Sequence, residues 1–155
     1  MSTEPANLFE RRFSNRPDDL SRVTEEAVRF IEARGVGERA VYLANLTIEE
    51  MGTNIIKYGY DDTAVHEILL RLEIHPEVLL LVLEDDGHEF NPVKAPEPDL
   101  NRPAEDRVPG GLGIHLVRKM VEQMDYMRCG GRNRLTVRIR SKSNPGQPAI
   151  AARLR

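Results

Sequence analysis

The stretch Ile-Glu-Glu-Met-Gly-Thr-Asn-Ile-Ile-Lys-Tyr-Gly-Tyr, residues 48–60, carries two side-chain patterns that a helix would place side by side. Spacings of four and three residues put Glu50, Asn54 and Lys57 on one polar stripe of a helix predicted over residues 38–58. A neighbouring apolar stripe recurs at helical spacing and consists of Val41, Ala44, Ile48, Met51 and Ile55. A carboxylate, an amide and an amine beside a buried face indicate a helix that borders a site.

The composition is that of one globular domain without disulfide bonds. The chain has 155 residues, of which 40% are hydrophobic and 30% charged. Its single cysteine, Cys129, favours a reducing compartment, and we expect it to be a buried small hydrophobe. The net charge of -3 gives no support to nucleic-acid binding. We see no signal-peptide pattern and no aliphatic run long enough to span a bilayer, so we expect a cytoplasmic protein that binds neither nucleic acid nor membrane.

Periodicity and turn residues predict eight elements in one domain. They are a strand over 7–15, helices over 17–33 and 38–58, strands over 65–74 and 78–85, a helix over 112–124, and a hairpin of 125–129 and 134–140. Paired strands without helical crossovers predict a mixed, largely antiparallel sheet with helices on one face, which is an α/β (α+β) two-layer sandwich. We expect the domain to cover residues 1–141. The tail over 142–155 shows no pattern and is expected to be mobile.

Three details of this prediction concern the second half of the chain. The helix over 112–124 is expected to turn one apolar face inward: Leu116, Val117, Met120, Val121 and Met124. The hairpin is expected to turn across Gly-Gly-Arg-Asn, residues 130–133. Residues 87–111 have no periodic segment and contain several prolines, which is typical of a lid or a binding loop.

Asp85 ends a predicted central strand that is otherwise nearly all aliphatic. Because side chains alternate along a strand, Asp85 continues the row formed by Leu79, Leu81 and Leu83. A bare carboxylate is costly to bury, so a carboxylate in this row is expected to have a bound partner. Such a group could accept a hydrogen bond from the amino group of adenine.

A second segment suited to a nucleotide is Gly-Gly-Leu-Gly, residues 110–113, which leads into the third helix. Glycines at a helix N-terminus let backbone N–H groups approach phosphate oxygens, and the helix dipole favours the negative charge. The amide oxygen of Asn54 is a ligand type that suits Mg²⁺, and Lys57 could meet the phosphates. The carboxylate of Glu50 could accept a proton from an attacking hydroxyl group.

These segments, in this order, resemble the three ATP-binding boxes of the gyrase, heat-shock-90, histidine-kinase and MutL superfamily (GHKL ATPases, the Bergerat fold). Within it, the chain is most similar to the small bacterial anti-sigma-factor serine/threonine protein kinases. The N box is Glu50-x-x-x-Asn54-x-x-Lys57-Tyr58. The G1 box is Asp85-Asp86-Gly87-His88-Glu89-Phe90-Asn91-Pro92, and the G2 box is Gly110-Gly111-Leu112-Gly113-Ile114. Residues 132–135 are also like the family's ending, and the resemblance covers about residues 8–140.

The resemblance implies a role for each matched position. Asn54 would bind Mg²⁺ between the phosphates of ATP, and Glu50 would be the base that activates a serine or threonine. Asp85 would receive the adenine amino group, and Gly87 would let the base pack closely. The phosphates would be held by Lys57, Gly110, Gly111, Leu112 and Gly113, under a lid over residues 92–109. The implied substrate is a small anti-anti-sigma (STAS-type) protein, with a sigma factor as second partner and a homodimer as the assembled form.

Simpler interpretations remain open for each motif. Glu50 and Asn54 could lie on a solvated helix edge, and Asp85 could cap a turn with Asp86 and Gly87. Gly110-Gly111 could be an ordinary loop, and a lysine near a helix C-terminus is favoured by the dipole alone. Two alternative functions also remain: a nucleotide-sensing module that sequesters a partner without phosphorylating it, and a switch kinase whose partner is not a sigma factor.

Overall fold

The computed structural model describes residues 6–97, 99, 101, 103 and 111–141. Its elements follow the predicted order of strand, two helices, two strands, helix and two strands. They are β1 Leu8–Ser14, α1 Pro17–Glu32, α2 Glu38–Tyr58, β2 Glu67–Ile74, β3 Val78–Asp85, α3 Gly111–Met120, β4 Gln123–Cys129 and β5 Arg132–Arg140.

The five strands form one sheet in the order β1-β2-β3-β5-β4, with β3 at its centre. Every pairing among the described strands is antiparallel, so the sheet is not mixed. The register places Asp85 at the end of β3 opposite Asn133 at the start of β5. The predicted two-layer α/β sandwich is confirmed, because all three helices pack against one face of this sheet.

The inward face of the sheet is a continuous aliphatic surface, because alternate residues of each strand point to the same side. On β3, Leu79, Leu81 and Leu83 are at most 1% exposed, and Val137 and Ile139 on β5 are fully buried. The helices cover this face with side chains that are also almost fully buried: Ile31, Leu43, Ile48, Ile114 and Val117. Burying one such side chain stabilises the fold by about 1.5–3 kcal/mol.

Helix α2 buries a wider face than the predicted stripe, because α1 packs against it as well as the sheet. Ala44, Ile48 and Met51 are buried as predicted, whereas Val41 and Ile55 are half-buried. The additional buried residues are Ala40, Leu43, Thr47 and Gly52. A Cβ atom at Gly52 would lie 2.6 Å from Leu20 Cδ1, so the glycine lets α1 and α2 approach closely.

The predicted C-terminal end of the third helix is wrong. Helix α3 ends at Met120, and β4 already begins at Gln123. Met124 pairs with Val137 of β5 and packs against the core from a strand. A short apolar run does not by itself distinguish a helix from a strand, and here the pairing with β5 decides.

Leu116 does not face inward as predicted. It is 40% exposed, whereas Ile114 and Val117 are buried. These two residues are three apart and define the face of α3 that packs on α2 and the sheet. Leu116 therefore lies on the opposite side of the helix.

The hairpin between β4 and β5 is tighter than predicted. Gly130 and Gly131 have φ angles of 58° and 76°, the left-handed conformation that a two-residue hairpin turn requires. Arg132 and Asn133 therefore belong to β5 and not to the turn. Cys129 ends the edge strand β4 and is exposed, so its predicted burial is wrong.

No helix in the described ranges has the length and apolar character needed to span a bilayer. The predicted tail over 142–155 lies outside the described residues. The domain boundary at residue 141 therefore stays a prediction.

Candidate nucleotide-binding site

The last turns of α2, the end of β3 and the β4–β5 hairpin surround a pocket of about 310 Å³. This volume is at the small end of the range for ligand pockets. Met51, Ile55, Leu83 and Leu135 give it apolar walls. The remaining lining residues are polar or aromatic, lie in the segment after β3, or end α2: Asn54, Tyr58, Gly59, Asp85, His88, Glu89, Phe90, Pro92, Tyr126 and Asn133. An apolar slot with few polar groups is suited to a flat heterocyclic ring.

Asp85 is 5% exposed and lies in the pocket wall at the end of the apolar row, as predicted. Its Oδ1 accepts hydrogen bonds from the Gly87 N–H (2.9 Å) and from Asn133 Nδ2 (3.0 Å). Its Oδ2 has no hydrogen-bond partner among the described residues. The carboxylate thus caps the turn with one oxygen, as the simpler interpretation predicts, and its contact with an adenine amino group stays a prediction.

Burial raises the pKa of the Asp85 carboxyl above its ordinary value. The hydrogen bonds from Asn133 and Gly87 act in the opposite direction, because they stabilise the charged form. The protonation state of Asp85 matters for recognition, because the ionised carboxylate only accepts hydrogen bonds, whereas the protonated form also donates one.

Asn133 is a site residue that the sequence prediction missed. It is 6% exposed, and its Nδ2 donates to Asp85 Oδ1 and to the His88 carbonyl (2.8 Å). Its Oδ1 accepts from the Tyr126 hydroxyl (2.6 Å) and from Arg128 Nη1 (2.8 Å). The signal was the alternation of Leu135, Val137 and Ile139, which places Asn133 on the inward face if the strand is extended by one more pair of residues.

Gly87 allows the turn after β3 to dock on the end of α2. A Cβ atom at Gly87 would lie 2.7 Å from the Gly59 carbonyl oxygen, which is too close. The His88 N–H donates to that same oxygen at 2.8 Å. Gly87 is thus required for a close backbone contact, and its predicted contact with a base stays a prediction.

Asn54 faces the pocket from α2, about one turn before the helix ends at Tyr58. Its Nδ2 is buried and has no hydrogen-bond partner in the described part of the chain. Leaving a buried amide N–H without a partner costs about 1–3 kcal/mol, and this N–H could donate to an acceptor such as a phosphate oxygen. An amide oxygen is a ligand type that Mg²⁺ accepts, and the residue therefore fits a Mg²⁺-bound phosphate.

Glu50 lies one turn before Asn54 and is half-buried. A Cβ atom at Gly113 would lie 1.9 Å from Glu50 Oε2, so the carboxylate lies directly against the first turn of α3. A negative charge is favourable there because the N-terminus of a helix is positive. The structure therefore brings Glu50 together with the glycine segment. Glu50 itself does not line the described pocket.

The other residues predicted to bind phosphate are not among the described residues that line the pocket. Lys57 is exposed and is not among the residues that line the pocket in the described part of the chain. Gly111 is buried at the first position of α3, and Leu112 is 48% exposed. Gly110 lies outside the described residues. The phosphate roles of these residues stay predictions.

A polar cluster supports the turn after β3 from outside the pocket. The Tyr60 hydroxyl donates to Asp86 Oδ1 at 3.0 Å, and the Tyr60 ring stacks on His66 with centroids 3.9 Å apart. Burial and this bond to a carboxylate raise the pKa of Tyr60. His66 Nε2 lies 2.7 Å from Asp62 Oδ1 and lowers the pKa of that carboxyl. The cluster thus holds the exposed Asp86 side chain outside the pocket.

Comparison with known proteins agrees with this geometry. The sequence pattern of the histidine kinase-like ATPase domain matches residues 13–140. The serine/threonine-protein kinase BtrW of Bordetella bronchiseptica is 29% identical over 99 residues, which are 64% of this chain and 70% of BtrW. The serine-protein kinases RsbW of Bacillus mycoides and Bacillus cereus are 28% identical over 90 residues, and the match spans 56% of their length.

A solved structure shows the same fold. It contains the RsbU and RsbW domains of a Mycobacterium tuberculosis protein and superposes with a TM-score of 0.60 at 12% identity. The superposition covers 86% of this chain and 31% of the other. The match over residues 13–140 confirms the family resemblance that the three boxes indicate, and the chain belongs to the histidine kinase-like ATPase domain family.

Proposed function

We propose that the chain is an ATP-dependent serine/threonine protein kinase that phosphorylates a small protein partner. The observation that carries this proposal is that one apolar pocket contains a buried carboxylate and a buried amide nitrogen, each with a hydrogen-bonding position that no described residue fills. These groups are Asp85 and Asn54. The names of the relatives support the proposal, since BtrW and RsbW are serine or serine/threonine protein kinases.

The sheet end of the pocket would hold adenine. Asp85 Oδ2 would accept a hydrogen bond from the exocyclic amino group, since an ionised carboxylate only accepts. Ile55 and Leu135 line the walls that would contact the flat faces of the ring. Burial of these faces supplies affinity, and the carboxylate supplies orientation.

The helix end would hold the phosphates and Mg²⁺. When bound, Mg²⁺ neutralises phosphate charge during transfer of the terminal phosphoryl group. Asn54 would provide one oxygen ligand for the ion. The N–H groups of the first turn of α3 would face phosphate oxygens. The space that a Cβ atom at Gly113 would fill is occupied by the Glu50 carboxylate.

Glu50 would accept the proton of the substrate hydroxyl. It is one turn away from Asn54 on α2 and lies against the first turn of α3, which supports a position beside the phosphates. Its contact with Gly113 holds it at that turn. Catalysis would then rest on positioning and on proton transfer at this carboxylate.

The partner assignments rest on kinship alone. We propose an anti-anti-sigma protein of the STAS type as substrate, a sigma factor as the protein held when that substrate is phosphorylated, a homodimer as the assembled form, and the cytoplasm as the location. Their support is the similarity to BtrW and RsbW over part of those proteins.

The test is incubation of the protein with radiolabelled ATP, Mg²⁺ and STAS-domain proteins from the same genome. We expect label on a serine or threonine of one of them, and none with Glu50→Gln, which should still bind ATP. Binding of ATP without transfer to any of these proteins would favour the nucleotide-sensing module. A wild-type protein that binds no ATP would refute the proposal.

A further inference from the structure

Asn133 is the most highly connected polar side chain at the pocket, and nothing in the family boxes assigns it a role. It joins Asp85 to the turn after β3 on one side and to β4 on the other. All four of its strongest hydrogen bonds run between 2.6 and 3.0 Å. A buried polar group with this many partners is held rigidly, because losing any partner leaves a desolvated atom.

The partners of Asn133 allow only one orientation of its amide. The guanidinium of Arg128 can only donate, so it must face the amide oxygen. The His88 carbonyl can only accept, so it must face the amide nitrogen. The N–H group that points at Asp85 is therefore fixed by the surrounding chemistry.

This fixed donor determines what Asp85 can offer to a ligand. Asp85 Oδ1 already accepts from Gly87 and Asn133, so rotation of the carboxylate would break both bonds. The free oxygen, Oδ2, stays directed away from them. Donation by Asn133 also favours the ionised carboxylate, which presents only acceptor sites.

We propose that Asn133 is a positioning residue that makes the pocket select adenine over guanine, by holding Asp85 in one orientation as an acceptor-only carboxylate. This inference rests on the proposed function, since it assumes that a purine nucleotide is the ligand. Adenine offers an amino group to Asp85 Oδ2. Guanine in the same position offers a carbonyl oxygen, and two acceptors repel. A protonated carboxyl would instead donate a hydrogen bond to that carbonyl oxygen, so the pocket would also bind guanine.

The test compares Asn133→Asp with the wild type. The substitution keeps the shape of the side chain, removes the N–H donor and sets two carboxylates at hydrogen-bond distance, which favours protonation of the pair. Asn7→Asp, at an exposed position beside the opposite edge strand β1, adds the same charge far from the pocket and is the matched control. Affinities for ATP and for GTP are measured by calorimetry across the mildly acidic to neutral range.

Charged and titratable groups around Asp85 are common to all these proteins. Among the described residues they are Asp86 and His88 in the turn, Tyr60 after α2, Tyr126 and Arg128 on β4 and Arg132 on β5. The phosphates of ATP gain and lose protons in the same way in every binding experiment. The ratio of a variant's affinity to that of the wild type therefore isolates the change at Asp85.

We expect Asn133→Asp to lose about tenfold or more in ATP affinity at neutral pH, the scale of a hydrogen bond to a charged group. GTP affinity should change less, so that the ratio of ATP affinity to GTP affinity falls. ATP affinity should also begin to fall at a higher pH than in the wild type, because Asp85 loses a bond that favours ionisation. Asn7→Asp should match the wild type in all three respects.

Other outcomes separate the inference from the proposed function. A folded Asn133→Asp protein with an unchanged nucleotide ratio or an unchanged pH midpoint would overturn the role of Asn133, even if its affinity were lower. A wild type that binds no ATP would overturn the proposed function itself. If Asn133→Asp does not fold, Asn133→Ala is measured next, and then Tyr126→Phe, because both weaken the same cluster. A folded variant of either kind with the wild-type ratio of ATP affinity to GTP affinity would also contradict the inference.

Discussion

At the sheet end of the pocket, Asp85 and Asn133 bond to each other and to the backbone around them. At the helix end, the buried amide nitrogen of Asn54 has no hydrogen-bond partner among the described residues. The groups at the sheet end are thus held in place by the protein itself, whereas the amide nitrogen of Asn54 has a hydrogen bond left to make. The difference follows from the fold. Asp85 and Asn133 are locked by the register of β3 and β5, while the helix end depends on how α2 and α3 approach each other. Rigid groups suit recognition of a base, and an unused amide N–H suits an acceptor such as a phosphate oxygen.

The largest effect is expected at the helix end. Glu50→Gln should lower the phosphotransfer rate by about 10²–10⁴-fold, because it removes the proton acceptor. ATP affinity should stay within about threefold, which is under about 0.7 kcal/mol, since the sheet end is untouched. The measurement is single-turnover transfer from radiolabelled ATP, with Glu49→Gln, an exposed neighbour, as control. Normal transfer by Glu50→Gln would remove the residue from the mechanism.

Gly87→Ala should show how much the stability and the ATP affinity of the sheet end depend on its backbone contacts. The new Cβ atom would meet the Gly59 carbonyl at 2.7 Å, so the turn must move. Overpacking of this kind costs about 1–3 kcal/mol, and we expect a drop of that size in the free energy of unfolding, together with weaker ATP binding. Urea unfolding measures the first effect. In Gly131→Ala the Cβ atom meets nothing within 4 Å, so that variant should lose stability through its φ angle alone and keep its ATP affinity.

Asn54→Leu tests whether the buried amide of Asn54 is unsatisfied in the ligand-free protein. Removing a buried amide nitrogen that has no partner in the described part of the chain should leave the ligand-free protein equally stable or up to about 1 kcal/mol more stable, because the cost of desolvation disappears. Binding of ATP should lose its dependence on Mg²⁺. Asn45→Leu, on the same helix outside the pocket lining, controls for helix propensity. A large loss of stability specific to Asn54→Leu would mean that the amide is satisfied in the folded protein.

Lys57→Ala should have the smallest effect. The side chain is exposed and does not line the described pocket, so we expect a change in ATP affinity of less than about twofold and in stability of less than about 0.5 kcal/mol. Calorimetry with ATP and Mg²⁺ is the measurement. A tenfold loss would show that Lys57 reaches the phosphates and that the helix end extends further along α2.

Local patterns predicted the elements whose periodicity is strong. The aliphatic row of β3 predicted both the central strand and the burial of Asp85, and the stripe on α2 predicted the helix that borders the pocket. What could not be predicted depends on long-range pairing. The end of α3 is decided by β4 joining β5, and Asn133 becomes a site residue only because the tight Gly130–Gly131 turn starts β5 early enough to place it opposite Asp85.

The same contrast explains why the helix end was predicted and the sheet end only in part. Glu50, Asn54 and Lys57 lie within eight positions of one another, so helical spacing alone relates them. Asp85 and Asn133 are 48 positions apart, and only the sheet brings them together. Spacing also says nothing of depth, which is why Lys57 lies on the predicted stripe and yet remains exposed.

The central claim is that Asp85 recognises a nucleotide base in this pocket, and the most direct test is a calorimetric titration of ATP with Mg²⁺ into the wild type and Asp85→Asn. Asp86→Asn, which changes the neighbouring exposed carboxylate, is the matched control. We predict measurable binding to the wild type, similar binding to Asp86→Asn, and a loss of about tenfold or more for Asp85→Asn, because a hydrogen bond to a charged acceptor is lost. Equal affinities for the wild type and Asp85→Asn would contradict the claim.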